Sequence, residues 1–146
     1  MLQTGLIDFF LSQPIIAIVG VSRKGDAPAN HIYKKMRELD YVVYPVNPHT
    51  MRVEGDKCYP DLKSVPLKPS AVLLAGTPDV SYEIVKQCVA LHVQVIWMHK
   101  GIGTGSYSSK AEKLARAHDI QVINNGCPMM FLGKVDPFHR LLKWFK

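Results

Sequence analysis

The chain has 146 residues, of which 47% are hydrophobic and 21% are charged. This length and composition fit one globular domain with a sizeable core and exclude a disordered or fibrous chain. The chain has 18 Lys and Arg residues against 12 Asp and Glu residues, and the formal charge of +6 favours anionic partners such as phosphates. Because the basic residues are scattered and no aromatic ladder lies between them, nucleic acid is a poor candidate partner.

Two features indicate a cytoplasmic protein. No apolar stretch approaches the roughly 20 residues of a membrane span, and residues 1–11 lack the basic start of a signal peptide. The three cysteines, Cys58, Cys88 and Cys127, are odd in number and lack metal-ligand spacing. This pattern argues against a disulfide framework and against a zinc site, and it fits a reducing compartment.

Five apolar runs predict the strands of a buried parallel sheet. The first run, Ile15 to Gly20, is too short for a free helix and rich in β-branched residues. Runs of the same kind follow at residues 41–46, 71–75, 93–98 and 120–123. Pro45 lies near the end of the second run, a position that suits an edge or a strand terminus.

Helices are predicted between most of these strands. Ile32, Met36 and Leu39 have helical spacing and predict a helix that ends near Asp40. Thr77 before Pro78 predicts the start of a second helix, and residues 108–118 predict a third. Residues 48–69 lack periodicity, so we expect a loose crossover there, with at most a short helix around residues 61–65.

This alternation predicts an α/β fold. We expect one Rossmann-like domain over residues 1–146, built on a doubly wound parallel five-stranded sheet with helices on both faces. The core is expected at residues 15–131 and a C-terminal helix at residues 136–146. Such sheets bind ligands at the carboxyl ends of their strands, so the loops that begin at Gly20, Asn47, Gly76, His99 and Asn124 are the candidates for a site.

The first of these loops carries a phosphate-binding pattern. Gly20-Val21-Ser22-Arg23-Lys24-Gly25 has the layout Gly-x-Gly-x-x-Gly, with Ser22 in place of the middle glycine. Small residues allow backbone amides to approach a diphosphate at the start of the next helix. Ser22 adds a hydroxyl donor, and Arg23 and Lys24 can face a further phosphate.

The end of the second strand argues against NAD. NAD enzymes carry an acidic residue there that holds the ribose hydroxyls, about 20 residues after the glycine pattern. This strand ends instead in Pro45-Val46-Asn47-Pro48, where Val46 and Pro48 offer a flat edge for an adenine.

These stretches resemble the small CoA-binding proteins related to the nucleotide-binding domain of succinyl-CoA synthetase α subunits. The resemblance covers about residues 15–131, and its most specific part is Tyr44-Pro45-Val46-Asn47-Pro48 after a Gly-x-Ser turn. Supporting matches lie at residues 18–22, 55–59, 96–98 and 126–128. The resemblance implies coenzyme A as the ligand.

The resemblance also implies where coenzyme A lies. Residues 20–22 would hold its diphosphate, and residues 46–48 would line the adenosine pocket. The loops after the third and fourth strands would close over the ligand; they bring Gly76, Thr77, His99 and Lys100 to the site.

The sequence departs from the family at four positions. Ala29 and Asp40 stand where the family has glycine, and Gly76-Thr77 replaces a Phe-Arg pair. Asp40 tolerates a left-handed backbone, whereas Ala29 restricts the approach of a phosphate. Lys100 can supply the charge that the missing arginine would have carried.

Other reactive side chains suggest no catalytic centre. A catalytic role for His99 is the weaker interpretation, and the remaining histidines lack metal-ligand spacing. Cys127 could form a mixed disulfide with a ligand thiol, but a small buried side chain is the favoured interpretation. Met129, Met130 and Phe131 are expected to pack in the core.

Three functions are compatible with these patterns. The favoured one is non-catalytic binding of coenzyme A or acyl-CoA, as a sensor, a carrier or a subunit of a larger assembly. The second is a small NAD(P)-binding oxidoreductase. The third is a nucleotide-binding subunit whose catalytic partner is another chain, docked on the helix at residues 138–145. A homo-oligomer is compatible with each of them.

Overall fold

The computed structural model describes residues 2–100 and 105–132. Its elements in chain order are α1 (Leu2–Leu11), β1 (Ile15–Val19), α2 (Pro28–Glu38), β2 (Val42–Val46), β3 (Arg52–Val53), β4 (Asp56–Lys57), a 3₁₀ turn (Leu62–Ser64), β5 (Ala71–Leu74), α3 (Pro78–Leu91), β6 (Val95–Met98), α4 (Ser109–Ala117) and β7 (Gln121–Ile123).

The main sheet has the predicted parallel, Rossmann-like arrangement. Its five strands lie in the order β2-β1-β5-β6-β7, and each neighbouring pair is parallel. β2 is an edge strand of this sheet, so the missing N–H of Pro45 interrupts no strand ladder, while its carbonyl accepts a hydrogen bond of 3.0 Å from the Tyr59 N–H. The α/β prediction and its five strands are confirmed.

Alternate residues of each strand face opposite layers of helices. On one face, β1 residues Ile16 and Ile18 pack with the buried side chains of α1 and α2. On the other face, Ala17 and Val19 pack with α3 and α4. The sheet is therefore covered on both faces, which explains why its strands are continuous apolar runs.

The predicted ends of the helices follow local hydrogen bonding. The Thr77 side chain accepts a hydrogen bond from the Val80 N–H at the start of α3, next to Pro78. After α2, Asp40 adopts a left-handed backbone with a φ of 67°, as the sequence predicts for this substitution of glycine. The 3₁₀ turn Leu62–Ser64 is the short helix expected near residues 61–65.

Two elements were not predicted. α1 packs Phe10 edge-on against Trp97 of β6, with 5.3 Å between the ring centroids. The antiparallel hairpin of β3 and β4 turns through Glu54 and Gly55, both at positive φ. The predicted helix at residues 136–146 lies outside the described residues. No described helix is long and apolar enough to cross a membrane.

Gly20 allows two loops at the carboxyl edge of the sheet to touch. Its φ is 111°, and a Cβ atom there would lie 2.6 Å from the carbonyl carbon of Ala75 and 2.8 Å from the amide nitrogen of Gly76. These neighbours are backbone atoms and cannot rotate away. The close approach therefore requires glycine.

We expect Gly20→Ala to lower the free energy of unfolding by about 3 kcal/mol, because it combines an unfavourable φ with backbone overlap. Urea denaturation measures the change. Gly5→Ala is the matched control: Gly5 lies in α1 with nothing within 4 Å of its added Cβ, so alanine should stabilise the helix by up to about 1 kcal/mol. Equal stability of the two variants would contradict the role of Gly20.

Candidate functional site

The loop after β1 is held in place by a buried amide side chain. Asn30 of α2 is fully buried, and its Oδ1 accepts a hydrogen bond of 2.7 Å from the Ser22 N–H. Its Nδ2 donates to the Ser22 carbonyl at 2.7 Å and to Oε2 of Glu54 at 2.9 Å. Asn30 was not selected from the sequence; it lies eight residues from Ser22, and only the fold brings the two together.

The loop uses several of its own amides. The N–H of Lys24 donates to Ser22 Oγ at 3.1 Å, and the N–H of Gly25 donates to the Ser22 carbonyl at 3.2 Å. Together with the Ser22 N–H, these groups are committed within the protein. The loop can therefore offer an anion the side chains of Arg23 and Lys24 and the hydroxyl proton of Ser22.

α2 begins beside this loop with an open positive end. Ala27 precedes the helix in an extended conformation and makes no side-chain cap, and the first turn contains no acidic residue. The first-turn amides of a helix carry partial positive charge, which adds to the attraction for an anion. Ala29 is fully buried in the core cluster on this face of the sheet.

Asn47 ties the loop after β2 to the loop after β1. Its Nδ2 donates to the Val21 carbonyl at 2.8 Å, and its Oδ1 accepts from the His49 N–H at 2.7 Å. Its backbone N–H donates to the Tyr59 carbonyl at 2.9 Å, and Tyr59 also pairs with Val46 as a parallel bridge. The amide of Asn47 thus positions both loops.

A cavity of about 510 Å³ opens between these loops and α3. Apolar side chains dominate its wall, and two carboxylates, Asp79 and Glu83, stand on its α3 side. Seven of the residues that the sequence predicts for the site line it: Gly20, Val21, Val46, Asn47, Pro48, Gly76 and Thr77.

A second cavity continues from the first. It has a volume of about 290 Å³ and is lined by Val21, Ser22, Arg23, Lys24, Asn47, His49 and Thr50. Val21, Asn47 and His49 line both cavities, so the two form one groove along the carboxyl edge. The structure thus brings ten of the twelve predicted site residues to this groove.

His99 and Lys100 lie beside the end of β6 and line neither cavity. The N–H of Lys100 donates to the Gly126 carbonyl at 3.2 Å. Ser106 is fully buried, and its Oγ lies 2.6 Å from the Leu74 carbonyl and 3.0 Å from the His99 carbonyl. Burial lowers the pKa of the His99 imidazole, which favours its neutral form. Contact of His99 and Lys100 with a ligand remains a prediction.

The segment after β7 differs in part from the expected packing. Phe131 packs against Trp97, with 6.1 Å between the ring centroids. Met129 and Met130 are exposed, so their predicted place in the core is wrong; the helical turn that carries them directs Phe131 and Leu132 inward instead. Cys127 is half-buried, and burial raises the pKa of its thiol, which disfavours the reactive thiolate.

Another cavity, of about 370 Å³, lies at the opposite edge of the sheet. Its wall includes His92 and His118, the residues that end α3 and α4. It contains none of the predicted site residues. Among the described residues no group of three or more histidine, cysteine or carboxylate side chains could hold a metal ion.

The hairpin of β3 and β4 is fastened to α2. The hydroxyl of Tyr33 and the guanidinium of Arg37 both donate to the Asp56 carboxylate. The hydrogen bond from Tyr33, followed by those of Arg37, lowers the pKa of Asp56 despite its partial burial. Lys34 lies 3.8 Å from Glu54, the carboxylate that contacts Asn30. The hairpin therefore supports the loop of Ser22 through Glu54 and Asn30.

We expect Asn30→Ala to cost about 2 kcal/mol of stability, because it leaves the part-buried N–H of Ser22 without a partner and the Ser22 carbonyl with only the Gly25 N–H. Amide hydrogen exchange at Ser22 should become much faster. His31→Ala changes an exposed residue of the same helix and should leave both unchanged. Slow exchange at Ser22 in the Asn30 variant would contradict its role.

The Asp56 contacts predict a dependence on pH. Because the pKa of Asp56 is lower in the folded state than its unfolded value of about 3.9, the stabilisation is present above about pH 4 and is lost as the pH falls through the folded-state value. At neutral pH Asp56→Asn should cost about 1 kcal/mol or less, since the carboxylate is partly exposed. The gap from the wild type should close in acid. Urea denaturation at several pH values measures the stability difference between the wild type and the variant. A difference that does not change with pH would exclude this contribution.

Comparison with known proteins places this groove in context. Residues 15–133 match the sequence pattern of a family described as the CoA binding domain. The ADP-forming acetate–CoA ligase II of Archaeoglobus fulgidus is 23% identical over 115 residues, which cover 73% of this chain and 17% of the ligase. The α subunit of ADP-forming acetate–CoA ligase II of Pyrococcus furiosus is 24% identical, with coverage of 84% and 28%. The chain thus spans less than a third of these relatives.

Solved structures share the fold. A hypothetical protein from Pyrococcus horikoshii superimposes with a TM-score of 0.81 at 30% identity, over 90% of each chain. The dinucleotide-forming acetyl-coenzyme A synthetase 1 of Candidatus Korarchaeum cryptofilum, solved in complex with phosphate and ADP, superimposes with a TM-score of 0.63 at 22% identity. That match covers 75% of this chain and 25% of the synthetase.

Proposed function

The chain belongs to the CoA-binding domain family, and we propose that its function is to bind coenzyme A or an acyl-CoA without itself catalysing a reaction. The observation that carries this proposal is the groove at the carboxyl edge of the sheet. It lies wholly within the segment that matches the family, and ten of the residues that the sequence predicts for the site line it.

The two cavities suit different parts of the ligand. The larger one is mostly apolar, with Val46, Pro48, Val80 and Ile84 in its wall, and fits the adenosine. The smaller one presents Arg23, Lys24 and the Ser22 hydroxyl next to the open end of α2, and fits the diphosphate.

The alternative of a small NAD(P)-binding oxidoreductase receives no support. The family and the curated relatives point to coenzyme A. Asn47 stands at the end of β2, where NAD enzymes carry an acidic residue, and its side-chain amide is already bonded to Val21 and His49. We therefore retain coenzyme A alone.

The length of the relatives supports a role for the domain beside a partner chain. The matched ligases are several times longer than this chain. We propose that the domain presents coenzyme A to a partner chain, or senses or carries it, as a monomer or a homo-oligomer. The three cysteines are free, which supports a reducing cytoplasmic location.

Calorimetric titration with coenzyme A and with NAD under reducing conditions tests the binding directly. We expect a dissociation constant on the order of 1 μM for coenzyme A, equivalent to about 8 kcal/mol, and no heat from NAD. Absence of binding to coenzyme A, or stronger binding of NAD, would refute the proposal.

A substitution in the wall of the apolar cavity locates that binding. Val80 is 42% exposed, so Val80→Asp should leave the fold intact while adding a carboxylate beside Asp79. We expect about a tenfold loss of affinity for coenzyme A. Val42→Asp is the matched control, because Val42 is 41% exposed and lies at the amino end of β2. Equal affinity in both variants would place the ligand elsewhere.

A further inference from the structure

A third cavity extends the groove toward the hairpin. It has a volume of about 920 Å³ and is lined by Arg23, Pro48, His49, Thr50, Met51, Arg52, Lys57, Cys58 and Pro60. Three of these side chains are cationic, and none of the described lining residues is acidic. The cavity is therefore a concentration of positive charge.

The pairing of β3 with β4 places two of these cations side by side. Arg52 of β3 and Lys57 of β4 are direct partners in the antiparallel register. Like charges opposite each other destabilise a strand pair, so packing alone would not favour this arrangement. An anion bound between the two side chains would turn the repulsion into attraction.

Both side chains can still donate hydrogen bonds. One Arg52 nitrogen donates to the Gly55 carbonyl at 2.7 Å, which leaves other donors of its five N–H groups. The Lys57 ammonium lies 5.3 Å from the centroid of the Tyr59 ring. The carboxylate of Asp56, on the same strand as Lys57, is engaged by Tyr33 and Arg37. The salt bridges of the described residues include neither Arg52 nor Lys57, although the charge of Arg52 also helps to lower the pKa of Asp56.

The cationic cavity is continuous with the proposed ligand groove. It shares Pro48, His49 and Pro60 with the apolar cavity, and Arg23, His49 and Thr50 with the diphosphate cavity. The charged side chains of the apolar cavity are Asp79 and Glu83. The groove is thus positive at the hairpin and negative at α3, so phosphate groups of a ligand are favoured on the hairpin side and an uncharged ring on the α3 side.

We propose that Arg52 and Lys57, with Arg23, form a site for a phosphomonoester, which in coenzyme A is the 3′-phosphate of the ribose. A phosphomonoester carries a charge of about −1.5 to −2 at neutral pH and three acceptor oxygens. A guanidinium binds such a group through paired hydrogen bonds. Arg23 lies on both phosphate-facing cavities and can serve the diphosphate and the 3′-phosphate together. This inference rests on the proposed function and adds a specificity to it.

Titration with coenzyme A and with dephospho-CoA, which lacks only the 3′-phosphate, tests the site. We expect the wild type to bind coenzyme A at least about tenfold more tightly. Arg52→Gln and Lys57→Gln should each weaken coenzyme A about tenfold and leave dephospho-CoA unchanged. Lys113→Gln removes the same charge from an exposed position on α4 and should change neither affinity.

The outcomes separate this inference from the proposed function. If the wild type binds both ligands equally, or if the hairpin variants weaken both equally, the phosphomonoester site is refuted and coenzyme A binding stands. If Lys113→Gln weakens coenzyme A binding as much as Arg52→Gln does, the effect comes from the overall charge of the protein, and the site is also refuted. If neither ligand binds the wild type, the proposed function itself is refuted. Circular dichroism of the exposed-residue variants confirms that each is folded.

Discussion

The hydrogen bonds between the Asn30 side chain and the backbone of Ser22 hold the loop around which the groove is built. A buried amide that loses its partners costs as much as a large core contact, so this loop has little freedom to move. Asn47 connects it to the loop after β2, and Gly20 allows it to rest against the loop after β5. These contacts within the protein therefore connect the three loops that form the groove.

The same hydrogen bonds change how the glycine-rich pattern works here. The amides of Ser22, Lys24 and Gly25 bond to partners within the protein. Charge for an anion is supplied instead by side chains and by the uncapped start of α2. The hairpin of β3 and β4 contributes both to holding the loop and to its positive charge. Glu54 supports Asn30, and Arg52 and Lys57 line the groove.

Much of the fold could be predicted because the inner strands β1, β5 and β6 are covered on both faces and form continuous apolar runs in the sequence. The left-handed turn at Asp40 could be predicted because Asp40 stands where the family has glycine. α1 was missed because Gly5 interrupts a short helix whose stability comes from packing Phe10 on Trp97. The hairpin was missed because two-residue strands leave no periodicity to detect, and its ion pairs to α2 depend on the fold.

The site was predictable to the extent that strand ends determine it. Residues at the tips of β1, β2 and β5 converge because parallel strands end at one edge. Asn30, Arg52 and Lys57 are not at the ends of these strands. Asn30 lies on a helix, and Arg52 and Lys57 lie in the crossover between β2 and β5, so only the fold places them beside the groove. Met129 and Met130 illustrate the converse: apolar letters after the last strand predict burial, but the direction of the turn exposes them.

Chemical-shift mapping of the isotopically labelled protein with coenzyme A tests the central claim most directly. The account predicts shifts concentrated at residues 20–24, 46–49 and 76–84. The amides at residues 92–94 and 118–121, which line the cavity of about 370 Å³ at the opposite, amino-terminal edge of the sheet (the amino-edge cavity), should be unchanged. Shifts confined to the amino-edge cavity, or no shifts at millimolar coenzyme A, would contradict the claim that the groove at the carboxyl edge of the sheet is the binding site.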